Sequence, residues 1–135
     1  MREILFRGKR IDNGEWVEGY YCGKVNKTIF SPAEDSAQII DKDLYWHELT
    51  PETVGQYTGL TDKNGVKIFE GDVVRLVYNY DEHIYQVVYD VSELDFKATN
   101  GKEEYRTNYQ YLTCCDEVEV IGNIHDNPEL AEGLL

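Results

Sequence analysis

Residues 51–74 read PETVGQYTGLTDKNGVKIFEGDVV, and the turns written into that stretch decide the fold class. Pro51 behind Thr50 offers a pre-set first helical position after an N-cap residue. Asn64-Gly65 is a hairpin signal, because both residues tolerate the positive φ that a tight two-residue turn requires. Gly71-Asp72 marks another turn ahead of an apolar run. The stretch therefore reads as short strands joined by tight turns, and none of its residues is obliged to do chemistry.

Upstream, Ile4, Leu5 and Phe6 form a short apolar run, and Asp12-Asn13-Gly14 separates it from the strand-like residues 15–22. The pattern predicts a hairpin turning at Asn13-Gly14. Gly19 inside the second run signals a bulge or the close approach of another backbone, since glycine in a strand supplies no packing. Residues 27–30 read as a third strand, 32–36 as a loop, 37–40 as a short strand, and 44–49 as a buried strand without a clean period.

Downstream, residues 73–80 and 84–89 are rich in β-branched and aromatic types and flank Asp81-Glu82-His83, which predicts a hairpin with His83 at its tip. Residues 94–99 alternate apolar and polar, and Asn100-Gly101 is a further turn signal before Tyr105, Tyr109 and Tyr111. Residues 117–122 alternate again as a closing strand. Asn127-Pro128-Glu129 combines a capping side chain, a proline at the first helical position and an acid in the first turn, predicting a short helix from Pro128 to Glu132.

No segment sustains a 3.6-residue period, while strands recur with turn chemistry between them. The fold class is all-β: a small, strongly bent barrel over residues 50–125 and an additional hairpin or sheet over 1–49, with the helix closing a 50–135 region. At 135 residues the chain can bury roughly two thirds of its unfolded surface without covalent staples. Three cysteines, two of them adjacent, make no disulfide framework and imply a reducing compartment. The first ten residues are too charged for a signal peptide and no run approaches membrane-spanning length, so a soluble, cytoplasmic protein is expected.

The formal net charge of −13 repels a phosphate backbone. Arg2, Arg7, Lys9 and Arg10 against Glu3 make the first ten residues +3 and leave −16 for the rest. Nucleic acid is accordingly not an expected partner. Zinc could be imagined on Cys22, His47, Cys114 and Cys115, but no pair has ligand spacing and adjacent side chains in an extended strand point apart. No metal or other cofactor is expected, and the thiols read as buried and unreactive. His47, His83 and His125 could each act as a base, yet no catalytic motif surrounds them. Eleven tyrosines, with Tyr78 and Tyr80 or Tyr109 and Tyr111 on alternating positions, suit a β core or a protein contact.

Three blocks of the chain resemble the YopX family, small proteins typically encoded by bacteriophages and prophages. They are Phe6-Arg7-Gly8-Lys9 with Gly14, Trp16, Val17 and Gly19; residues 54–60, 62–65 and 69–74; and residues 120–124 with 127–130. The resemblance implies a β-rich architecture with an SH3-like barrel element, and it implies no activity. The reading is a non-enzymatic phage accessory protein that binds another protein or its own copies, with Arg7, Arg10, Tyr78, Tyr80, Tyr109 and Tyr111 as contact residues. The alternatives are an acidic DNA mimic, which needs carboxylates in rows on one face, and an enzyme with an unrecognised carboxylate site.

Overall fold

The alternating residues of the N-terminal part pair as antiparallel strands. In the computed structural model, which describes residues 3–25, 36–91, 94–99 and 109–132, they lie in the first of two units, Met1–Tyr57 and Thr58–Leu135. Strands β1 (Phe6–Lys9) and β2 (Trp16–Val25) set Phe6 opposite Gly19 and Lys9 opposite Trp16. Gly14 turns the chain at φ +70°, and the Arg10 N–H donates to the Glu15 carbonyl at 2.9 Å, so the predicted turn forms where positive φ is free of steric penalty. With β3 (Ser36–Ile40), β4 (Trp46–Leu49) and β5 (Gly55–Thr61) the strand order is β4-β3-β2-β1-β5. The strand expected at 27–30 and the loop at 32–35 lie outside the described residues.

Ala37, Ile39 and Leu49 are completely buried, with Phe6, Val17, Tyr21 and Val54 packed around them. Gly19 is required because a Cβ there would run into the carbonyl oxygen of Ile40 and lie 2.8 Å from Ile39 Cγ2. Of its two predicted meanings, the close backbone approach is therefore the one observed; the register shift in β2 falls later, between Tyr21 and Lys24. Pro51 starts a one-turn 3-10 helix, Pro51–Thr53, but the Thr50 side chain makes no cap. Thr53 does the local work, its hydroxyl donating to the Thr50 carbonyl at 2.6 Å and accepting from the Lys9 N–H at 2.8 Å.

The second unit is built on β6 (Lys67–Phe69), β7 (Asp72–Tyr78), β8 (Asp81–Asp90), β9 (Asp95–Thr99), β10 (Tyr109–Gln110) and β11 (Glu117–Asn123). Its five-stranded sheet has the order β10-β9-β8-β7-β11, all pairs antiparallel. A one-turn 3-10 helix, Leu112–Cys114, precedes β11, and α1 (Pro128–Glu132) follows it at the predicted place. Ile68, Val74, Leu76, Tyr85, Val87, Ala98 and Leu112 form the core, each large side chain contributing about 1.5 to 3 kcal/mol relative to exposure. Gly65 (φ +80°) and Gly71 (φ +93°) supply the two turns read from residues 51–74.

Among the described residues the fold is all-β with one short α-helix, and neither sheet closes into the expected barrel. Three local expectations are corrected. The β7–β8 turn is Asn79-Tyr80, at φ 51° and 65°, so residues 81–83 belong to β8 and His83 pairs opposite Leu76 instead of capping a tip. Two left-handed residues match the twist of the flanking strands, and asparagine tolerates that conformation better than Asp81-Glu82 would. Burial does not follow the apolar–polar alternation of residues 94–99: Leu94 is exposed at φ 55°, while Phe96, Lys97, Ala98 and Thr99 are all buried. Lys97, 5% exposed, is tolerated because its ammonium meets the Asp90 carboxylate at 2.6 Å. The expected buried strand at 44–49 is instead an exposed turn followed by a short strand.

Candidate functional site

That turn displays three exposed large apolar side chains in succession. Asp41 organises it: one carboxylate oxygen accepts from the Asp43 and Tyr45 N–H groups at 2.9 and 3.0 Å, and the other lies 2.7 Å from His47 Nε2. The Leu44 N–H closes on the Asp41 carbonyl at 3.0 Å. The His47 hydrogen bond, helped by the Tyr45 N–H, holds the Asp41 carboxyl below the usual carboxylate range. Closing the loop forces Leu44 to φ +68°. Leu44, Tyr45 and Trp46 are consequently 77, 68 and 61% exposed, although their sequence has the apolar character of a core strand.

Beside this tip an isolated bridge joins Arg10 to Leu49, with the Ile11 N–H donating to the Glu48 carbonyl at 3.0 Å. The β1–β2 turn is thereby held against β4. The groove between them, about 180 Å³, is lined by Arg10, Ile11, Asp12, Trp46, His47 and Glu48. Arg10 donates to the Asp12 carboxylate at 2.6 Å, which keeps the Asp12 carboxyl low.

Of the predicted contact residues, Arg10 lines this groove. Arg7 is half-buried with its guanidinium 4.6 Å over the Trp16 ring, and the Lys9 ammonium is 5.5 Å from the same ring. Tyr78 and Tyr80 do not share a strand face. Tyr80 stands wholly exposed in the β7–β8 turn, while Tyr78 stacks on His83 at 4.3 Å and shares a hydroxyl hydrogen bond of 3.1 Å with Tyr85. Burial, reinforced by the Tyr78 hydroxyl, pushes the Tyr85 phenol up to about 12. Tyr109 pairs with Thr99 in the sheet, and Tyr111 precedes the Leu112–Cys114 turn, half-buried beside a cavity of about 40 Å³ that holds no more than a few waters.

The remaining candidates separate as well. Cys22, within β2, and Cys114, the last residue of the 3-10 turn, are exposed, against expectation; Cys115 is partly buried, and burial raises its thiol to about 11. Among the described residues no three His, Cys, Asp or Glu side chains are arranged to hold a metal ion, and no helix is long and apolar enough to cross a membrane. On the second unit's sheet, Glu117 and Glu119 lie 3.0 Å from Lys63, and Arg75 reaches Glu117 at 2.8 Å and Glu82 at 3.3 Å. The Arg75 and Lys63 hydrogen bonds hold the Glu117 carboxyl low.

The sequence reading missed the tip, since exposed and buried apolar runs share one composition. The available signal was Asp41-Lys42-Asp43, two turn-favouring acids just ahead of Leu44.

The solved structure of protein EF1440 from Enterococcus faecalis matches with a TM-score of 0.54 and 23% identity, covering 97% of this chain and 99% of that one. It is a likeness of fold. No curated protein matches. The model of the family described as YopX protein matches residues 5–132, nearly the whole length, and the chain belongs to the YopX family.

Proposed function

We propose that this chain is a phage or prophage accessory protein that acts in the cytoplasm without catalysis, as a β module docking on another protein through the 41–46 tip. The observation that carries the reading is Leu44. A non-glycine residue in the left-handed region costs about 1 to 2 kcal/mol, and asparagine or glycine would close the same turn with less strain. A leucine there with 77% of its surface in water contributes nothing to its own unit's core. A partner that covers Leu44, Tyr45 and Trp46 recovers that apolar area, and aromatic anchors dominate such contacts.

The second unit is read as an SH3-like element. Its meander β7-β8-β9-β10, the 3-10 turn Leu112–Cys114 before β11, and the return of β11 to the far side of β7 support that reading. The DNA-mimic alternative draws no support from β7 and β11, where Lys63 and Arg75 neutralise the glutamates.

Affinity capture from host cells carrying the phage, comparing the parent chain with Leu44→Asn and Tyr45→Ser, tests the proposal. A specific partner lost from both variants, neither of which unfolds at a lower temperature than the parent chain, is the expected result. Capture indifferent to both substitutions overturns it, and sedimentation of the purified chain identifies a second copy as the partner.

A further inference from the structure

We infer that the groove beside Trp46 receives a cationic side chain, a lysine or an arginine, of the protein that docks on the tip. The inference rests on the docking reading above and names what the partner must present. Drug-sized ligands occupy sites of about 300–1,000 Å³; at about 180 Å³ the groove fits the end of one long side chain.

Its walls select charge. The exposed indole of Trp46 offers a ring face, the strongest aromatic surface for a cation. Ile11, 57% exposed, offers an apolar wall for the methylene stem of a long basic side chain. Two carboxylates, Asp12 and Glu48, face one cation, Arg10, which is already committed to Asp12 at 2.6 Å. His47 is tied to Asp41 at 2.7 Å, which anchors its ring against the turn. An anion would meet only a guanidinium in use. An uncharged group would strip water from Glu48 without replacing its partner. The chain as a whole, at −13, also favours approach of a basic surface.

The backbone bears on the mode of insertion. The Glu48 carbonyl, which an added strand would need, is occupied by the Ile11 N–H at 3.0 Å. Recognition here is therefore by an inserted side chain and not by strand addition.

The test follows the indole N–H resonance of Trp46, identified by its loss in Trp46→Phe, while the intact chain is titrated with Nα-acetyl-argininamide. Nα-acetyl-citrullinamide, of the same shape without the charge, and Nα-acetyl-glutamate amide are titrated in parallel. Saturable shifts are expected with the arginine compound, about tenfold weaker with citrulline and about tenfold weaker in Glu48→Gln. Equal response to citrulline, saturation by the glutamate compound, or no response to arginine overturns the inference. Partner capture separates the two proposals: loss in Leu44→Asn with full retention in Glu48→Gln and Trp46→Leu overturns the cation groove alone, whereas retention in all three overturns the docking reading itself.

Discussion

One oxygen of the Asp62 carboxylate accepts the backbone N–H of Val120 at 2.9 Å, 58 residues along the chain, while the other accepts from Asn64 and Val66 at 2.8 and 2.9 Å. A single side chain thus closes the β5–β6 turn and ties it to β11. Burial, leaving Asp62 7% exposed, works to raise its carboxyl, and the Val120, Val66 and Asn64 donors together outweigh it, so the group titrates below 3.8.

Asp62→Asn should destabilise the fold by about 1.5 to 3 kcal/mol at pH 7, because an amide nitrogen would confront a backbone donor. The folded carboxyl lies below its unfolded value of 3.8, so its contribution is full above that value and is lost as pH falls through the lowered one. Urea midpoints of parent and variant should differ at pH 7 and converge on acidification. A gap that persists unchanged at about pH 2 would mean the carboxylate charge is not what holds the turn.

Gly14 and Gly19 should fail for different reasons. Gly14 has φ +70° and open space around a Cβ, so Gly14→Ala should cost only the conformational preference, about 1 kcal/mol. Gly19→Ala drives a methyl into the backbone of Ile40 and should cost about 3 kcal/mol or more. Equal urea midpoints for the two variants would contradict the packing of β2 on β3.

Leu44→Asn should raise stability by about 0.5 to 1 kcal/mol, since asparagine accepts φ +68° more readily and little apolar contact is lost. Thermal denaturation measures this. A marked fall in stability would show that Leu44 packs inside its own unit.

The three thiols should divide in the native protein. Cys22 and Cys114 are exposed and should react rapidly with a disulfide reagent at pH 7, whereas Cys115, raised to about 11, should lag until urea is added. Three equally fast thiols would place Cys115 outside the core.

Binding to duplex or single-stranded DNA should be no tighter than about 10⁻⁴ M at 0.15 M salt. Within the basic N-terminal segment, Arg10 is engaged with Asp12, and Arg7 and Lys9 with the Trp16 ring. Fluorescence anisotropy showing submicromolar affinity, abolished by Arg7→Ala with Arg10→Ala, would move the functional site to the first hairpin.

Turns and strand composition are local properties, and they were legible in the sequence by itself. Asn13-Gly14, Asn64-Gly65, Gly71 and Pro128 each state a backbone conformation that few other residues share, and the structure turns or starts its helix at each. The β11 strand and the all-β class followed from the same logic. What required the folded structure is which neighbours the chain brings to each position, even within one turn or hairpin. Whether Leu44, Tyr45 and Trp46 face a core or water is decided by how the Asp41 carboxylate closes their loop. Pairing of β7 with β8 makes Asn79-Tyr80 the turn and lays His83 against Tyr78. Lys97 reads as a solvent position until Asp90 reaches it across the hairpin at 2.6 Å. Apolar or charged composition records the cost of burial at a position, but only the fold supplies the neighbours that meet it.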